Sequence, residues 1–385
     1  MNFLQARRRA IIAAGAVFLS GCVGAAAPAA PSAAPVAARP VVVSARPVAV
    51  PVPAPRSALP AVNAAMPTPA SERGFSRPPP GLSDEIFQLW RSFPGKTGIA
   101  VARIDGDWQL AWRANDLFPQ QSVSKLWVAL AALDAVDSGR ISLTDKVRIG
   151  PDDLTLFSQP IAARVRANGS INPTVAELID LAITRSDNTA NDSLLRHIGG
   201  PRTVRDFVAR KRLGAIRFGP GERLLQAQIA GIEWQQAMSS DNAFQSARGQ
   251  LSLEARKTAM ARYLNDPVDG ASPAATAQAL TRLARGELLS PDSTKLILDT
   301  LDRTRTGPNR VRAGLPADWR FGHKTGTGQN LAPITAGYNN IGIATAPDGV
   351  RYAIVVLMAD TTASVPARMA LMQAVGRVVA ANHGR

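Results

Sequence analysis

The chain has 385 residues, with 44 lysines and arginines against 29 acidic residues, a formal charge of +15, and one cysteine. One cysteine excludes an intramolecular disulfide. The basic surplus would permit nucleic-acid binding, but no basic patch interleaved with aromatics accompanies it, so no nucleic-acid partner is expected. A phosphate loop and a dinucleotide fingerprint are absent, and His197, His323 and His383 lack ligand-like spacing, so neither a metal nor a cofactor is expected.

The first 21 residues read as an export signal: Arg7 to Arg9 precede an apolar run, Ala10 to Leu19, too short to span a bilayer. The arginines fit either general or twin-arginine export. Leu19-Ser-Gly-Cys22 resembles the lipobox of bacterial lipoproteins, which implies a lipid on Cys22 and a membrane-anchored place in the cell envelope, on the periplasmic side. An ordinary cleaved signal is the alternative. Residues 22–81 are rich in alanine, proline and valine; fourteen of the 29 prolines fall there, with five arginines against one glutamate. Such a stretch cannot bury a core and reads as a disordered, semi-rigid tether.

Residues 82–385 are long enough for a large core, as one unit with two lobes. Gly98–Ile104 and Trp108–Trp112 are strand-like around the hairpin signal Asp105-Gly106. Helical periodicity follows at Ser122–Val136, Thr174–Thr184, Thr189–Ile198 and Thr203–Arg212, and returns at Leu253–Leu264, Pro273–Arg285 and Ser290–Asp302. Strands resume at Arg320–His323, Tyr338–Ala346 and Arg351–Met358, and a helix from Val365 to Ala380 closes the chain. Strands at both ends with helices between them predict an α+β fold: an antiparallel sheet flanked by helices, with an inserted all-helical lobe and a cleft between the two.

Three short motifs are candidates for chemistry. Ser122 and Lys125 stand three apart at a helix start, so they share a face, and a neighbouring amine can activate a serine hydroxyl. Ser186-Asp-Asn188 joins two helices. Lys324-Thr325-Gly326, followed by Gly-flanked Thr327, puts a cation and hydroxyls on an open strand edge, suited to a carboxylate-bearing substrate. Each alone fits an ordinary structural role.

Together and in this order, they resemble the signature of penicillin-binding proteins and class A serine β-lactamases. The segments SVSKLWVALAALDAVDSGRISLTDKV, TVAELIDLAITRSDNTANDSLLRHIGG and GPNRVRAGLPADWRFGHKTGTG extend the likeness over about Ile86 to Ala381. The resemblance implies Ser122 as nucleophile, Lys125 as proton acceptor or relay, and Ser186 as the path of a proton to the leaving nitrogen. It implies Asn188 on the substrate's side-chain amide, Lys324, Thr325 and Thr327 around its carboxylate, and the N–H groups of Ser122 and Thr327 as oxyanion hole. It also implies a β-lactam-opening hydrolase acting on penicillins and cephalosporins as a monomer.

Class A enzymes hold the hydrolytic water with a glutamate on an ω-shaped loop and an asparagine four positions later. Here the candidates are Glu222 and Gln226. Phe157 stands where a tyrosine commonly walls the cleft, and Asp192 where an asparagine is usual. No arginine follows the Lys-Thr-Gly strand; Arg368 is a candidate replacement. The segment 227–271 is longer than the family's compact pattern. Its Ser239-Ser-Asp-Asn242 repeats the Ser-Asp-Asn letters without a preceding apolar helix and reads as a loop. Two alternatives remain: a D,D-peptidase or acyl-enzyme sensor acting on peptidoglycan peptides, and a non-catalytic envelope binding protein.

Overall fold

Two runs of β-branched and aliphatic residues, one near residue 100 and one near residue 350, meet in a single sheet. The structure, a computed structural model, describes residues 77–384; the expected signal peptide, Cys22 and all but the end of the tether lie outside them. Helix α1 (Pro80–Ser92) leads into the hairpin β1 (Lys96–Arg103) and β2 (Gln109–Trp112). Short β3 (Phe118–Pro119) follows, then a 3-10 turn, Gln121–Ser124, that runs straight into α2 (Lys125–Asp137). The helical lobe continues through α3 (Ala162–Asn168), α4 (Val175–Thr184), α5 (Asn188–His197), α6 (Pro201–Arg210) and α7 (Glu222–Ala230), then α8 (Asp241–Gly249) and α9 (Leu253–Asn265). After β4 (Gly270–Ala271) come α10 (Pro273–Ala284) and α11 (Pro291–Asp302). The chain returns through β5 (Arg320–Thr327), β6 (Asn330–Leu331), β7 (Ile334–Thr335), β8 (Tyr338–Thr345) and β9 (Arg351–Ala359) to α12 (Val365–Ala381).

The main sheet has the order β2-β1-β9-β8-β5, and every neighbouring pair is antiparallel. Because successive side chains point to opposite faces, β9 feeds two cores. Tyr352, Ile354, Val356 and Met358 pack with residues of α1 and α12, while Ala353, Val355 and Leu357 pack with α2, α4, α10 and α11. Helix α2 is buried continuously from Lys125 to Leu133, as a helix apolar all round must be. Strand β5 ends the sheet, so one of its edges is free of a sheet partner.

Local signals account for most helix starts. Thr174 accepts from the Glu177 N–H and Glu177 reaches back to Thr174 N, a capping box. Ser272, Ser290 and Ser364 cap α10, α11 and α12, each followed by proline in the first turn. Two expectations need correction. Helix α1 begins at Pro80, inside the stretch assigned to the tether, because proline is as acceptable in a first helical turn as in an extended chain. Ser239–Asn242 is not all loop: Ser240 accepts from Ala243 N and caps α8, to which Asp241 and Asn242 belong.

Candidate active site

Ser122 is half-buried at the head of α2, and the preceding Gln121 holds φ +53°. A left-handed non-glycine residue costs ~1–3 kcal/mol and persists only where its surroundings hold it. Here the Gln121 N–H donates to Asp269 Oδ2 (2.8 Å) and Gln121 Nε2 to the Tyr263 hydroxyl (2.6 Å). Tyr263 in turn donates to Asp269 Oδ1 (2.8 Å). Burial pushes the Asp269 carboxyl up to about 6, with the Glu222 charge adding to the rise, and burial pushes the Tyr263 hydroxyl well above its ordinary value.

Lys125 is fully buried. Its Nζ donates to Ser122 Oγ (2.8 Å) and, in a short contact, to Glu222 Oε1. The other Glu222 oxygen, Oε2, is buried with no partner among the described residues. Asp192 accepts from Glu222 N (2.8 Å) and Arg223 N (3.2 Å), so it caps α7 and fixes the start of the helix that carries Glu222. Burial, and then the Glu222 charge, raise the Asp192 carboxyl. A hydroxyl bonded to an amine that itself touches a carboxylate can release its proton into that pair while its oxygen attacks an acyl carbon.

Ser186 lies between α4 and α5 at φ +56°. The next residue, Asp187, caps α5 through Ala190 N and also accepts from Ile161 N. Lys324 Nζ, from the middle of β5, donates to Ser186 Oγ (2.9 Å) and to the Thr325 carbonyl (3.0 Å). Burial, and then the nearby Lys125 charge, hold the Lys324 amine well below its ordinary range. Asn188 Nδ2 donates to the Leu156 carbonyl (2.8 Å), while its Oδ1 is buried without a partner among the described residues. A buried acceptor left unpaired costs ~1–3 kcal/mol, so a substrate N–H there would be favourable. Gly326 admits no side chain: an added Cβ would lie 2.3 Å from the Gln120 carbonyl, which lets β5 run close beside the Ser122 turn.

Four expected residues stand at the rim. Thr325 Oγ1 lies 2.7 Å from Thr306 Oγ1. Phe157 holds φ +57°, and its ring meets Phe244 edge-on at 5.2 Å. Gln226 Nε2 donates to Gln121 Oε1 (3.1 Å), and Gln226 Oε1 accepts from Gln329 (2.9 Å). Its amide is thus committed to side chains on both flanks. The cation beside Thr327 is Arg310, which donates to Thr327 Oγ1 (2.6 Å) and the Asn339 carbonyl (2.6 Å) and stacks on Tyr338 at 3.8 Å. Arg368, the expected replacement, lies 5.7 Å from the centre of the Tyr338 ring but donates to the Ala363 carbonyl. The position is filled from the loop before β5 instead.

Arg310, Tyr263 and Asp269 were not identifiable from sequence. Each acts through partners far along the chain, and no local pattern marks them. The inserted segment resolves into two roles. Helix α9 supplies Tyr263 behind Ser122, while α8 stands at the rim, where Asp241 Oδ1 accepts from Phe157 N (2.8 Å).

A serine–lysine–carboxylate set facing a lysine-bearing strand edge on this α+β fold defines a penicilloyl-serine type of site. The model of the β-lactamase enzyme family matches residues 81–382. β-Lactamase Toho-1 of Escherichia coli is 30% identical over 247 residues, covering 64% of this chain and 72% of that protein. A β-lactamase of Amycolatopsis lactamdurans is 29% identical over 271 residues, 70% of this chain and 75% of that protein. Among solved structures, a β-lactamase from Chitinophaga pinensis superposes with TM-score 0.65 at 26% identity, over 78% of this chain and 98% of its own. An ancestral class A β-lactamase gives 0.61 at 30% identity, over 77% and 98%. The chain belongs to the β-lactamase enzyme family, as a class A-like serine enzyme.

Proposed function

We propose that the protein opens the β-lactam ring of penicillins and cephalosporins through an acyl-enzyme on Ser122, released by water that Glu222 activates. The observation that carries this reading is Lys125, buried and bonded to both Ser122 Oγ and Glu222. As Ser122 Oγ attacks the ring carbonyl carbon, its proton passes into the Lys125–Glu222 pair; either member can be its first acceptor. The N–H groups of Ser122 and Thr327 face the developing oxyanion. Ser186 Oγ accepts from Lys324, which frees its own proton for the departing ring nitrogen. Lys324, Thr325, Thr327 and Arg310 hold the substrate carboxylate, and Asn188 Oδ1 takes the side-chain amide N–H. In the second half, water gives a proton to Glu222 and its oxygen to the acyl carbon, and Ser122 leaves with the proton returned.

Contact between Glu222 and Lys125 supports a hydrolase over a D,D-peptidase, which needs no carboxylate there. Glu222→Gln should leave acylation by a chromogenic cephalosporin measurable and lower turnover by roughly 10²–10⁴-fold. Intact-mass analysis would then find the covalent adduct accumulating on Ser122. Undiminished turnover in this variant would remove Glu222 from the mechanism, and a single stoichiometric burst from the parent chain would favour the peptidase.

We further infer that residues 1–21 are an export signal, that Cys22 carries a lipid, and that 22–79 tether a monomeric catalytic domain, which begins with α1, on the periplasmic side. Leu19-Ser-Gly-Cys22 supports this. Among the described residues no helix is long and apolar enough to cross a membrane. Cys22→Ala should abolish labelling by a radioactive fatty acid; labelling that survives it would refute the anchor.

A further inference from the structure

Helix α8 reaches the cleft with more than an aromatic ring. A cavity of about 400 Å³ at the rim is lined by Phe157, Gln226, Gln245, Arg248 and the stretch from Thr327 to Asn330, a size that suits part of a small molecule. Gln245 and Arg248 stand three apart on α8 and so share a face. Arg248 is only 8% exposed. Its Nη2 donates to the Asn330 carbonyl (2.9 Å), and its Nε is buried with no partner among the described residues.

Among the described residues no carboxylate pairs with this charge. The charged group that acts most on Arg248 is another cation, Arg256 of α9, and that repulsion adds to burial in lowering the guanidinium's affinity for its proton. The acid on the same helix, Asp241, lies about two turns away and is engaged by the Phe157 N–H. Taking a guanidinium out of water without a counter-charge is unfavourable. An anion arriving in the cavity would reverse that.

We propose that Arg248, with Gln245, forms a subsite for a negatively charged side chain on the substrate: a β-lactam whose acylamino substituent carries a carboxylate. This rests on the β-lactam reading above. In that reading the ring carboxylate belongs to Lys324, Arg310 and the threonines of β5, so Arg248 takes a second one. The inserted segment thereby makes the enzyme selective for dianionic substrates.

The test compares benzylpenicillin with its α-carboxylated counterpart, which adds one carboxylate to the side chain. The quantity read is the ratio of their kcat/KM values in the parent chain, Arg248→Gln and Arg248→Lys. Arg248→Gln should lower the ratio of carboxylated to plain substrate roughly tenfold, chiefly through KM, as expected for one charge-assisted contact. Arg248→Lys should recover part of it, and rising salt should shrink the ratio in the parent. Equal losses on both substrates would show that Arg248 only holds Asn330 in place, and would overturn the subsite. If Arg248→Gln does not fold, the lysine variant and the salt series decide, and a ratio indifferent to both overturns the proposal. A parent chain that fails to turn over benzylpenicillin at all would refute the hydrolase reading itself, and the subsite with it.

Discussion

Asp269 shows how one side chain can govern the backbone beside Ser122, the proposed nucleophile. It holds the backbone of Gln121, one residue before Ser122, and is itself held by Tyr263. The folded chain keeps a proton on Asp269 up to about pH 6, whereas the ordinary value is 3.8. The folded state therefore binds more protons between those values, and this carboxyl's contribution to stability falls as pH rises through the window, by up to roughly 3 kcal/mol, and is constant above it. Chemical denaturation of the parent and Asp269→Asn at pH 5 and pH 7 checks this: the parent's advantage should be larger at pH 5. If the two proteins keep the same gap at both, Asp269 does not titrate there. None of this was legible in the sequence, where Asp269 is one acid in a polar turn. That Ser122 would meet Lys125 and Ser186 would share a site with Lys324 was legible, because three motifs in fixed order carry information that no single residue does.

Elements were readable where their signals are local. The capping serines and prolines of α10, α11 and α12, and the capping box of α4, lie within four residues of the starts they specify. Helix α8 was misread because its apolar contacts are few: Phe244 is its one fully buried anchor, packed with Leu156, Ala230 and Phe157. A helix of nine residues depends on such tertiary contacts rather than on propensity. Phe244→Ala would cost about 3–5 kcal/mol only if α8 unfolds with the rest of the domain. If α8 opens by itself, the loss is smaller and appears locally. Hydrogen exchange separates these, and faster exchange confined to residues 241–249 is the expected pattern. Uniform acceleration through α2 and β9 would mean that α8 belongs to the main cooperative unit.

Over the whole described region, the alternation of β9 binds the fold into one piece. Its two faces belong to different cores, so losing either core strips half of the strand's packing and weakens the other. Thermal unfolding of residues 82–385 should accordingly show one main transition, with near- and far-ultraviolet circular dichroism coinciding; two separated transitions would show that the helical lobe melts independently. The α+β class was legible because strands and helices are segregated along the chain. The packing of the inserted segment was not, since sequence spacing says nothing about which surface a solvent-facing helix will cover.

Of the six non-glycine residues with left-handed backbone among the described residues, three, Gln121, Phe157 and Ser186, stand around the cleft. Each is a position where glycine would relax the chain at once. Selection for durability alone would favour glycine at these places wherever relief of strain exceeds the lost side-chain contacts, and each such change would loosen a wall of the cleft. Adaptation toward heat and adaptation toward new antibiotics thus compete for the same few codons.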